Sequence, residues 1–224
     1  VRWSAGVLVC VLLLGFGFSE LINARSFQLG GELVDRVDST EKVVALTLDD
    51  GPSERAPEVL RTLADLGVPA TFYLNGSALD THPDLGRAIV AAGHEVGNHT
   101  YSHRRMVFVT PGTVRDEVER TDTAIRAAGY TGEITFRPPH GKKFLALPRY
   151  LAEHGRTTVM WDVEPRSAVA AEIADEAVRA VRPGSIVLLH VMYGSGAALA
   201  AIPRIVGELR GRGYRFVRVS ELRG

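Results

Sequence analysis

The chain has 224 residues, 46% of them apolar and 23% charged, which excludes a wholly disordered polymer and suits one catalytic-size domain with an appendage, at about 150 residues per domain. Lysine plus arginine number 26 and aspartate plus glutamate number 26, so the net charge is zero and the basic footprint of a nucleic-acid binder is missing. Cys10 is the single cysteine, which excludes an intrachain disulfide and a cysteine-based zinc finger.

Residues 1–22 read as a signal or anchor segment. Arg2 and Glu20 bracket the uncharged stretch Trp3 to Ser19. A positive start followed by a short apolar run has the form of a secretory signal. Adding Leu21 and Ile22 brings the segment near the roughly 20 residues that span a bilayer. The expectation is an extracytoplasmic protein, anchored in the membrane through this segment or secreted after its cleavage. Residues 23–42 are mixed and polar, with Gly30-Gly31, and read as a linker with room for one short strand.

Residues 43–224 read as one catalytic domain in which strand and helix alternate. Val43 to Leu48 is continuously apolar apart from Thr47, as in a strand covered on both faces. A helix follows over Ala56 to Leu66, ended by Gly67, then a strand over Ala70 to Leu74. A helix over Pro83 to Ala92 and a short strand over His94 to Gly97 come next. Thr113 to Ala128 predicts a long amphipathic helix, Glu133 to Phe136 a strand and Leu147 to Glu153 a helix. Strands are expected over Thr157 to Trp161, Ser185 to Leu189 and Arg215 to Val217, with helices over Val169 to Val181 and Ala198 to Arg210 between them. Such alternation predicts an α/β fold with a parallel sheet. About seven strand candidates favour closure into a barrel, although periodicity alone does not separate that from an open sheet.

The chemically unusual residues fall at strand C-terminal ends, where chemistry collects in such folds. Asp49 and Asp50 follow the first strand, His99 and His103 the third, Arg137 to His140 the fourth, Trp161 to Glu164 the fifth and His190 the sixth. His99 and His103 are four apart, which on one helical turn puts both imidazoles on the same side. Alone, such a pair is more often a surface feature. With Asp50 it makes a two-histidine, one-carboxylate set that leaves metal positions open. Asp49-Asp50 reads equally as a turn with a helix cap. Two adjacent carboxylates at a buried strand end nevertheless repel unless a metal stands beside Asp50 and a cation, for which Arg137 is the candidate, beside Asp49. Asp49 is then free to accept a proton from an attacking water. His190, after a buried strand, is either structural or the acid that protonates a leaving amine. His94 reads as structural, His82 as a surface residue and His154 as a helix-end residue.

These residues, in this order, resemble the polysaccharide deacetylases of carbohydrate esterase family 4, over Val43 to Leu222. Thr47-Leu48-Asp49-Asp50-Gly51-Pro52 is similar to the family's T-F-D-D-G-P. Gly93 to His103 matches the motif H-[ST]-x-x-H and its lead-in, Arg137-Pro138-Pro139-His140-Gly141 resembles R-P-P-Y-G, and Leu188-Leu189-His190 matches L-x-H. The resemblance implies a distorted (β/α) barrel, usually of fewer than eight strands. It also implies metal-dependent removal of N-acetyl, sometimes O-acetyl, groups from chitin, peptidoglycan, xylan and related glycans. It makes Asp49 the base, Asp50, His99 and His103 the metal ligands, His190 the acid and Arg137 the orienter of Asp49. Leu188 would line the acetyl-methyl pocket, and the backbone N–H at His140 would serve the oxyanion. Trp161, Tyr193 and the His140 side chain are candidate sugar contacts. Zinc is the expected metal, with cobalt or manganese admitted by the donor set. The expected partner is a glycan polymer, with no nucleic acid, and a monomer is expected.

One motif departs from the family's W-x-x-D-x-x-D-W. In Trp161 to Ala168, Glu164 takes the first acid position, Ser167 the second and Ala168 replaces the tryptophan. The missing aspartate weakens His190 as an acid unless Asp162 or Glu164 swings in. The missing tryptophan opens one wall of the groove. Two rival readings stand: hydrolysis of an acetyl ester or another C–N bond at the same site, and a glycan-binding protein that keeps the metal with weak catalysis.

Overall fold

The computed structural model describes residues 5–224. Helix α1 (Ala5–Asn23) exposes Val9, Val11, Leu12, Leu13, Leu14 and Phe16. Among the described residues no helix is long and apolar enough to cross a membrane. Arg2 and Trp3, on which part of the signal-or-anchor expectation rests, lie outside the described residues. The last turns of α1 touch the folded body, where the Phe18 ring stacks on Phe108 at 5.5 Å and meets Phe144 edge-on at 5.1 Å.

Residues 23–42, expected as a linker, lie against the domain. Strand β1 (Leu33–Val34) runs parallel to β5 (Thr158–Val159), and the Val37 N–H donates to the Gly184 carbonyl. The reason is local composition: Leu33, Val34 and Val37 pack on the barrel interior cluster, so this stretch carries its own apolar anchor.

The centre of the fold is β2 (Val43–Asp49), every residue of which is buried. One side of it pairs with β6 (Ser185–Leu189). The other side takes two partners at different heights, β7 (Arg215–Val217) near its start and β3 (Thr71–Leu74) near its end. β3 pairs in turn with β4 (Glu95–Asn98). All these ladders are parallel. Single-residue bridges from Asn98 to Phe136, Phe136 to Thr158 and Val163 to Val187 then carry the ring through β5 back to β6. The result is the distorted barrel that the motif pattern implied. The expected strand Glu133 to Phe136 shrinks to the bridges of Phe136, because Pro138 and Pro139 follow closely and offer no N–H to a ladder.

Around the ring lie α2 (Ala56–Leu66), α3 (Gly76–Thr81), α4 (Pro83–Ala91), α5 (Pro111–Ala127), α6 (Ala146–Glu153), α7 (Ala170–Ala180), α8 (Ala197–Gly211) and α9 (Val219–Arg223). Each long helix buries one stripe; α2 buries Ala56, Val59 and Leu63 and stops at Gly67, whose φ of 57° forms a left-handed cap. The period of two in β2 sorts its side chains. Val44, Leu46 and Leu48 face the helices, whereas Val43 and Ala45 face the barrel interior. Truncating one such leucine to alanine costs about 2–5 kcal/mol. The same parity sends Thr47 and Asp49 inward, and in β6 it sends Ile186 and Leu188 inward. The sheet thereby delivers its polar strand-end residues to one place.

Candidate active site

Asp49 ends β2 with its carboxylate almost wholly buried. Its Oδ1 accepts a hydrogen bond from Arg137 Nη1 at 2.7 Å. Arg137 has no exposed surface and spends its other donors nearby. Nε donates to the Val159 carbonyl and Nη2 to the Met160 carbonyl, each at 3.0 Å, and Nη1 also reaches Thr47 Oγ1 at 2.7 Å. Its guanidinium lies over the Tyr73 ring at 4.1 Å. A buried cation with this many acceptors is over-determined in position, and the carboxylate it holds is oriented with it. Removing one partner of such a pair costs about 3–5 kcal/mol, because the other charge stays behind in a dry site.

Asp50 turns the other way. Its φ of 72° and that of Gly51, 83°, swing the chain out of the strand, although Asp49 Oδ2 still lies 3.7 Å from His99 Nε2. Asp50 Oδ1 lies 3.2 Å from His103 Nε2 and 3.7 Å from His99 Nε2. One donor atom from each of Asp50, His99 and His103 lies within 4.8 Å of the others, the span of a single metal site.

The two histidines do not share a helical turn, contrary to the spacing argument. Residues 99–103 form a loop in which Thr100 has φ 67° and His103 has φ 56°. Side chains from other elements hold this loop. Asn75 Nδ2 donates to the His99 carbonyl at 2.8 Å, and Asn98 Oδ1 accepts from the Thr100 N–H at 2.9 Å. Glu117 on α5 accepts from both the N–H and the hydroxyl of Ser102, at 2.8 and 2.7 Å. The imidazoles still converge, their centroids 5.0 Å apart. Gly97, one residue before Asn98, is needed for close approach: a Cβ there would stand 2.4 Å from the Tyr73 ring. Sequence reasoning missed Asn75 and Glu117; the signal available was a glutamate on the buried stripe of an amphipathic helix.

His99 Nδ1 donates to the Arg137 carbonyl at 2.8 Å, which fixes the tautomer and leaves Nε2 as a lone pair 3.7 Å from both Asp49 Oδ2 and Asp50 Oδ1. Burial pulls the His99 imidazole below its ordinary pKa, against the opposing pull of Asp49 and Asp50. His140, with φ 57° on the short 3₁₀ turn Pro139–Gly141, stands edge-on to His103 at 4.8 Å. Partial burial, then the neighbouring His103 and Arg105, lower its pKa too. The imidazoles of His99 and His103 with the Asp50 carboxylate are a donor set that fits a divalent cation of the zinc type.

A cavity of about 430 Å³ opens over this cluster, lined by Asp49, Asp50, His103, His140, Trp161, Leu188 and His190, together with Glu164 and Arg25. His190 follows β6 and is exposed, in contrast to the enclosed Asp49. Arg25, from the segment expected to be a linker, pairs with Glu164 Oε2 at 2.6 Å and lies over the Trp161 ring at 4.9 Å. Trp161 Nε1 donates to the same carboxylate oxygen at 3.0 Å. Arg25 was missed because nothing local marks it; its partner is 139 positions away.

Two expected members stand elsewhere. Tyr193 is largely exposed and lines the neighbouring cavities rather than this one. Asp162 accepts from Ser185 Oγ at 2.8 Å and from the Ile186 N–H at 2.9 Å, at the start of β6. At about 3.3 Å per residue it is more than 10 Å along the strand from His190 and cannot tune it. Of the two acids considered for that role, only Glu164 shares a cavity with His190. His94 is structural: it is buried, and its Nδ1 accepts the Ala70 N–H at 3.2 Å.

The polysaccharide deacetylase family model matches residues 36–159. A chitooligosaccharide deacetylase from Bradyrhizobium sp. is 38% identical over 201 residues, covering 82% of this chain and 92% of the relative. The solved structure of a peptidoglycan N-acetylglucosamine deacetylase superposes with a TM-score of 0.80 at 29% identity, covering 85% of this chain and 92% of the other. A pseudoenzyme of carbohydrate esterase family 4 from Bacillus anthracis superposes with a TM-score of 0.79 at 27% identity, over 87% of this chain and 69% of its own.

Proposed function

The chain belongs to the polysaccharide deacetylase family, carbohydrate esterase family 4, and we propose on that footing how its residues divide the hydrolysis of N-acetyl groups on amino-sugar polymers. It is a metal-dependent hydrolase. The observation that carries the assignment of roles is the difference in partners of two consecutive carboxylates: Asp49 is hydrogen-bonded to the buried Arg137 and Asp50 lies beside His103, while both stand 3.7 Å from His99 Nε2.

Asp50, His99 and His103 would hold the metal, for which zinc is proposed. When bound, such a cation acidifies water and polarises the amide carbonyl. Asp49, aimed by Arg137, accepts the proton of the attacking water. The N–H of His140 would serve the developing oxyanion, a backbone donor that does not depend on the side chain. Leu188 and Trp161 give the acyl group an apolar wall. His190 delivers the proton to the departing amine, and its exposure lets it meet that nitrogen on the solvent side.

The substrate is proposed to be a β-linked N-acetylglucosamine polymer of the chitooligosaccharide or peptidoglycan kind, supported by the acts named for the related deacetylases. The pseudoenzyme relative makes the binding-protein reading a genuine rival. The buried Asp49–Arg137 pair favours catalysis, since a binder has no use for an oriented base. The exposed apolar residues of α1 support attachment to a membrane surface. Acetate release from N-acetylglucosamine oligomers tests the reading: it is expected to vanish on chelation and return with zinc. A chain that binds one metal and releases no acetate from any such oligomer is a binder.

A further inference from the structure

Leu188 and His190 line a second cavity besides the catalytic one. It holds about 280 Å³ and is bounded also by Ala168, Ile173, Leu189 and Ala197, between β6 and the N-terminal ends of α7 and α8. A single water needs only about 15 Å³ of such space, so the room exceeds what an acetyl methyl fills. Several of the polar atoms around it are already engaged. Ser167 Oγ donates to Glu172 at 2.6 Å and accepts the Val169 N–H at 3.0 Å. The carbonyls of Tyr193 and Gly194 accept from Arg55 at 3.2 and 2.9 Å. A hydrocarbon chain laid against the apolar part of the lining, Leu188, Leu189 and Ile173, asks for no further hydrogen-bond partner. The mouth is open because residue 168 is an alanine, exposed at the rim.

We propose that this cavity receives the acyl chain, so that the enzyme hydrolyses N-acyl groups of three to five carbons as well as acetyl. The inference rests on the deacetylase reading and deepens it. The chemistry balances without a further reactant: the amide C–N bond breaks, water supplies the oxygen of the released carboxylic acid, and its protons go to acid and amine. Each methylene buried in the lining favours the bound state by up to about fourfold, so longer chains are not penalised until the cavity is full.

The test uses the full chain with zinc and chitotetraose bearing N-acetyl, N-propionyl or N-butyryl groups, with the freed amine labelled so that the readout ignores acyl length. The expected kcat/KM for the butyryl substrate lies within twentyfold of the acetyl value. In Ala168→Trp the butyryl-to-acetyl ratio is expected to fall at least tenfold, and Ala168→Leu gives the same direction with a smaller intrusion. A wild-type ratio below one in twenty, or a ratio that neither variant moves, overturns the proposal while leaving the deacetylase reading intact. Failure on all three substrates overturns both.

Discussion

The two halves of the cavity are built on opposite principles. On one side Asp49, Arg137 and His99 are enclosed, and each is held by hydrogen bonds from separate elements. On the other, His190, Tyr193 and Ala168 are exposed. The difference follows from charge. A carboxylate and a guanidinium removed from water are tolerated only when every partner is fixed, because an unpaired one costs several kcal/mol. The acid side handles a leaving group that arrives from solvent, and nothing there needs a rigid cage. Ser167 and Ala168, two of the positions at which this chain departs from the family motifs, lie on the open side.

Separating the two aspartates breaks the comparison most severely. Asp50→Ala is expected to lose bound metal and all measurable activity, whereas Asp49→Asn keeps the metal and loses about 10²–10⁴ in kcat. Metal content by elemental analysis beside acetate release distinguishes them; equal metal loss in both would dissolve the division of roles.

The open side is expected to be less demanding. His190→Ala should lower amide hydrolysis by about 10²-fold or more, yet lower hydrolysis of an activated acetyl ester by tenfold or less, since an alkoxide-type leaving group needs less help from an acid. Equal losses on both substrates would mean that His190 positions rather than protonates.

Stability adds a third contrast, at the opposite, N-terminal end of the strands. Burial, with the Arg218 charge adding to it, pulls His94 from 6.5 down to about 4. The folded state therefore binds its proton later than the unfolded one. The contribution is fully present above pH 6.5 and is lost as the pH falls towards 4, by up to roughly 3 kcal/mol. Melting curves at pH 7 and pH 5 should show a larger drop for the wild type than for His94→Gln; parallel curves would remove His94 from the account.

The smallest effect is expected at the seam between the N-terminal segment and the cavity. Arg25 and Glu164 are both partly exposed, and such a pair is worth no more than about 1 kcal/mol. Arg25→Ala, or a chain starting at Ser26, should raise KM by threefold to tenfold while leaving the melting temperature within a few degrees. Oligosaccharide kinetics on the two proteins decide it, and an unchanged KM would make the contact incidental.

Much of this was written locally. Hydrophobic period and glycine stops placed Ala56–Leu66, Thr71–Leu74 and Ser185–Leu189 nearly to the residue, since burial of one face repeats every 3.6 or 2 positions regardless of what covers it. The identities of Asp49, Asp50, His99, His103 and His190 were legible for a related reason: strand ends in such a fold face one pocket. The tertiary structure alone decided the rest. It put His99 and His103 on a loop shaped by Asn75, Asn98 and Glu117 rather than on a helical turn. It took Asp162 to the far end of β6 and Arg25 into the cavity wall. Each of these outcomes depends on a partner distant in sequence, Arg137 to Asp49 across 88 positions and Arg25 to Glu164 across 139. A hydrogen bond's direction is set by both ends, and only folding brings the second end into reach.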